Sequence, residues 1–96
     1  MKINFNVHFK DYKGVELPEK ISDVVAAALF AVGTNPDTPV GKEEKYKAFK
    51  LSQKIISGEG LTDVGVEDLS FIKQVASHSL TAGAYGQLVD LIEGND

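Results

Sequence analysis

"SDVVAAALFAV", residues 22 to 32, decides the fold. Every position from Val24 to Val32 is apolar, so no polar stripe recurs at helical spacing. Nine apolar residues are far fewer than the roughly 20 needed to cross a bilayer. Ser22 and Asp23 supply an N-cap at the start of this run, and Gly33 stops it. A helix with almost no polar face has little to offer water. It is therefore expected at the centre of the molecule, with the remaining elements arranged around it.

Upstream, "KINFNVHFK" alternates with period two. Ile3, Phe5, Val7 and Phe9 point one way, and Lys2, Asn4, Asn6, His8 and Lys10 the other, as in a strand with one wet face. "DYKG" places Asp11, Lys13 and Gly14 as a turn needs them, and "VEL" returns as a short second strand that Pro18 breaks. Downstream, "GTNPDTPVG" is a loop. "KEEKYKAFKLSQKII" then resumes a helical pattern, with Tyr46, Phe49, Gln53 and Ile56 along one line and Ala48, Leu51 and Ile55 beside it. Glu43 and Lys47, four apart, support this helix, and Gly58 caps its end. A third helix buries Leu69, Ile72, Val75 and Ala76, with Glu67 and Asp68 in its first turn. Thr81 caps a fourth, which turns Ala82, Tyr85, Val89 and Ile92 inward and is flanked by Leu88 and Leu91.

The expected architecture is α+β in a single domain, residues 1–96. An N-terminal β-hairpin over 1–17 packs on a cluster of about four short helices at 22–33, 42–57, 67–78 and 81–93. An apolar content of 43% and a charged content of 25% suit a globular chain and not a disordered one. The absence of cysteine excludes disulfides and thiolate metal sites. "MKINFNVHFK" has neither the apolar block nor the cleavage site of a signal peptide, so cytoplasmic residence is expected.

Charge is divided along the chain. Residues 1 to 57 carry nine Lys against seven acids, a balance of +2, and residues 58 to 96 carry one Lys against seven acids, a balance of -6. All ten basic residues are Lys. Without Arg, and with an acidic second half, direct binding to nucleic acid or to an anionic membrane is not expected.

No stretch carries a catalytic constellation. In "SHSLTAGAYGQ", Ser77, His78 and Ser79 are consecutive and cannot be read as a nucleophile beside its base. Gly83 and Gly86 follow without the Lys-Ser/Thr of a phosphate loop, so they are expected to admit a close backbone neighbour. "EGLTDVGVED" lacks the ligand order of a calcium loop. His8 and His78 share no metal-ligand spacing, and the adjacent pairs Glu43-Glu44 and Glu67-Asp68 point apart. No enzyme activity, cofactor or metal is expected.

"GKEEKYKAFKLSQKI", followed by "GLTDVGVEDLSFIKQVASHSLTAGAYGQLVDLIEG", resembles small orphan proteins encoded by bacteriophages and prophages. The matching residues are Leu61, Thr62, Glu67, Asp68, Ile72, Lys73, Gly86, Gln87, Leu88, Asp90, Leu91 and Glu93. The resemblance implies a phage or prophage origin. Together with the absence of a catalytic constellation it gives the expectation of an accessory protein in a bacterial host cell, working by protein-protein interaction with itself or with a host or phage protein. Alternatives are an acidic DNA mimic that inhibits a host nucleic-acid-handling machine, and a virion structural or assembly protein forming homo-oligomers. Two partner surfaces are expected. One is the wet strand face of Asn4, Asn6, His8 and Tyr12, with an edge open to strand addition; the other is the acidic region Glu59, Asp63, Glu67 and Asp68.

Overall fold

The computed structural model describes residues 2–33, 40–57 and 61–94. Its elements are β1 (Lys2–Asn4), β2 (His8–Lys10), β3 (Glu16–Lys20), α1 (Ile21–Phe30), α2 (Lys42–Ser57), β4 (Leu61–Asp63), α3 (Val66–Ser79) and α4 (Ala82–Glu93). The fold is α+β; among the described residues it has four helices and two small antiparallel sheets, β1 with β4 and β2 with β3.

The N-terminal strand expected to run through Phe9 is broken. Asn4 Oδ1 accepts the Asn6 amide at 2.9 Å, turning the chain between β1 and β2. The carbonyls exposed by this break are used by the next element. Ile21 N–H donates to Val7 O and Ser22 N–H to Phe5 O, both at 2.8 Å. These are first-turn donors that α1 cannot satisfy internally. Main-chain carbonyls therefore hold the helix start in place of a Ser22 or Asp23 cap. The helix begins at Ile21, and Ser22 is buried inside its first turn.

Pro18 does not end the second strand, which runs on to Lys20. The pairing His8 with Lys20 and Lys10 with Glu16 leaves extra residues on the β3 side, and Pro18 sits in that irregularity. A residue without N–H is tolerated at such a place. At the tip, Asp11 Oδ1 accepts from Lys13 and Val15 amides, and Gly14 takes a φ of 86° that disfavours any other residue. β4 has no counterpart among the expected elements, since residues 61 to 63 lie between the helices expected at 42–57 and 67–78. It pairs Lys2 with Asp63, Ile3 with Thr62 and Asn4 with Leu61.

α1 packs against α2, α3 and β3, as a central helix should. Val25, Ala26 and Leu29 meet Ile3, Phe5 and Phe9 from the strands, Leu51 and Ile55 from α2, and Ile72 and Ala76 from α3 in one core. Its regular part stops at Phe30, and the turn that follows ends at Gly33, whose φ is +94°. In α4 the inward line is Leu88 and Ile92, with Tyr85, Val89 and Leu91 half-buried and Ala82 exposed, so the expected face is rotated by about one residue. Thr81 Oγ1 accepts from Ala84 N–H at 3.3 Å as an N-cap. Lys47 turns away from Glu43 and pairs with Asp68 on α3 at 3.5 Å, its ammonium 5.2 Å from the centre of the Phe71 ring. The Gly58 cap lies outside the described residues.

Candidate interaction surface

α1 is central but not enclosed. Three neighbouring elements cover one side of it, and beyond Asp23 in its first turn the other side is apolar. Along that outer side Ala27, Phe30 and Ala31 are exposed, with Val24 and Ala28 half-buried. Phe30 is 70% exposed. α1 occupies the expected central position, but the described elements leave its outer side uncovered.

α2 widens the apolar surface. Ala48, Leu51, Ser52 and Ile55 take the buried side, which leaves the adjacent line of Tyr46, Phe49 and Ile56 facing out. Tyr46 is 60% and Ile56 55% exposed. Phe49 stands between Phe30 and Tyr46, with ring centres 6.2 and 6.4 Å away, so an aromatic row crosses from α1 to α2. A groove of about 420 Å³ runs beside this row, lined by Asp23, Ala26, Ala27, Phe30, Ser52, Gln53 and Ile56. On the other side of Ala27 lies a second groove of about 820 Å³. Its floor is Val24, Ala28, Ala31 and Val32, its far wall Phe71, Val75 and Leu80, and its rim Glu44, Lys47 and His78.

The strand face expected to bind is dispersed by the break between β1 and β2. Asn4 and Asn6 are exposed at the break itself, while Tyr12 is 92% exposed at the hairpin tip. His8 is half-buried, and its Nδ1 lies 3.0 Å from Leu17 O. A carbonyl only accepts, so this contact requires the proton on Nδ1. Strand addition is blocked at Lys10. Its N–H donates to Gln87 Oε1 at 2.7 Å and its C=O accepts from Gln87 Nε2 at 2.9 Å, so the carboxamide takes the place of a paired strand. The outer strand β3 carries Pro18 and charged residues, which also discourage pairing.

Of the acidic set, Asp63 and Glu67 are exposed, Asp68 is paired with Lys47, and Glu59 lies outside the described residues. Through β1 and β4, Asp63 shares an exposed face with Lys2, Asn4 and Leu61, so the two guessed surfaces meet at this sheet. The Asp63 carboxyl is held below its ordinary range, first by the chain's terminal ammonium and then by Lys54 and Lys2. These acids are interleaved with lysines.

Ser77 Oγ donates to Gln74 O of its own helix at 2.6 Å. Gly83 and Gly86 face open space among the described residues, which corrects the expectation that they admit a close neighbour. Among the described residues no three His, Cys, Asp or Glu side chains are grouped to hold a metal ion, and no helix is long and apolar enough to cross a membrane. Searches against protein-family models, curated proteins and solved structures return no match.

Proposed function

We propose that this chain is a small phage or prophage accessory protein that acts in the bacterial host cell by binding another protein and catalyses no reaction. The observation that carries the reading is the uncovered apolar surface of α1 and α2, with Phe30, Tyr46 and Ile56 each more than half exposed. Scattered exposed apolar residues need no explanation, but a continuous aromatic and aliphatic surface beside grooves is typical of interaction sites. The DNA-mimic alternative receives less support, since a mimic needs rows of acid and here Lys47 pairs with Asp68 and Lys54 and Lys2 attend Asp63.

A photo-crosslinking residue placed at Tyr46, and separately at Glu19 on β3, tests the reading in bacterial cells expressing the protein. The expected result is one discrete adduct from position 46 and none from 19, with the captured protein binding the purified chain at fixed stoichiometry. Equal labelling from both positions, or turnover of a substrate by the purified chain, would contradict it.

A further inference from the structure

We infer that the partner presents to this surface an amphipathic helix whose polar flanks are acidic. The inference rests on the protein-binding reading and adds the chemistry of what is bound. The floor comes first. Ala27, Ala28 and Ala31 carry only methyl groups, so a second helix can lie close along α1, with Phe30 as a side wall. The occupant must be apolar towards this floor, and a helix meets that condition with residues three and four apart.

The sign of the flanking charge follows from α2. At helical spacing, Lys42, Lys45 and Lys50 fall within the same outward arc of about 140° as Tyr46, Phe49 and Ile56. Glu43 stands at the border of that arc and Glu44 lies beyond it. Among the described residues none of these three lysines has an ion pair, and Lys50 rests 5.5 Å from the centre of the Tyr46 ring. Acidic flanks on the bound helix would give each ammonium a partner. Two copies of this chain docked face to face through α2 would instead oppose lysine to lysine. An anionic bilayer or a single-stranded nucleic acid would satisfy the lysines but leave the alanine floor without a role. A protein helix uses both.

The test uses the whole chain, labelled with nitrogen-15, and two synthetic peptides of about 16 residues, the length of α2. Both place Leu at helical three-four spacing; one fills the remaining positions with Glu, the other with Lys. The Leu/Glu peptide is expected to shift α1 and α2 amides saturably, at least tenfold (about 1.4 kcal/mol) more tightly than the Leu/Lys peptide, and to weaken as salt rises. A K45E/K50E variant with an unchanged amide spectrum elsewhere is expected to reverse that preference. No saturation by about 1 mM, shifts confined to other elements, or a preference indifferent to the double substitution overturns the inference. So does tighter binding to phosphatidylserine vesicles or oligo-dT, or a dimer in the absence of peptide. A discrete crosslink from position 46 alongside any of these failures leaves protein binding standing and removes only the acidic helix.

Discussion

At Lys10 both main-chain polar groups are held by one side chain, the carboxamide of Gln87. The same Nε2 also donates to Gly83 O at 3.1 Å, so a single amide ties the hairpin to α4. These groups are solvent-accessible, and the expected cost of Gln87→Ala is about 1 kcal/mol, read from the urea midpoint. Gln87→Glu is expected to cost more, because a carboxylate still accepts from Lys10 N–H but sets its second oxygen against a carbonyl. An unchanged midpoint in both variants would show that the tie is dispensable. Thr62 presents the opposite case: its Oγ1 is buried in β4 without a hydrogen-bond partner among the described residues. Thr62→Val keeps the branched shape and removes the unpaired hydroxyl, so thermal melting is expected to show a gain of up to about 1 kcal/mol. A loss would mean that the hydroxyl is satisfied. Gln87 belongs to the pattern recognised in the sequence, but nothing there announces a bond to residue 10, because the contact spans most of the chain.

Among the elements, α1 shows most clearly how local pattern and tertiary packing divide the work. Its start is fixed by Val7 O and Phe5 O, from a break invisible in a strand pattern that alternates without interruption from Ile3 to Phe9. The amides of Ile21 and Ser22 are therefore expected to exchange with deuterium more slowly than first-turn amides that face water. Exchange at the rate of an exposed amide would show that the strand break does not cap the helix. Helices α2, α3 and α4 were legible because periodicity, acids in first turns and the Thr81 cap are all local signals. β4 was not. It has three residues, and its partner β1 lies far upstream in the sequence, so only tertiary pairing defines it. The outward line of α2 was visible as Tyr46, Phe49, Gln53 and Ile56, but its exposure was hidden, since two adjacent apolar lines do not declare which of them meets the core.

At the scale of the whole molecule, the proposed interaction surface arises from a shortage of cover. The core closes over Val25 and Leu29, while α2 and α3 flank the outer side of α1 and touch there through Lys47 with Asp68 and Phe71, leaving the groove between them open. The nine-residue apolar run carried the signal for this site. Such a run is either enclosed or left bare, and the described elements pack on one side of it and leave the other exposed. Because the chain has no cysteine, single cysteines report exposure without interference. The most direct test is therefore the rate of maleimide alkylation of folded Ala27→Cys, Phe30→Cys and Ala31→Cys compared with Val25→Cys and Leu29→Cys. The account predicts that the three outer positions react at least about tenfold faster than the two inner ones, whose reaction waits on unfolding. Equal protection of all five would mean that α1 is covered on every side, and the proposed binding surface would not exist.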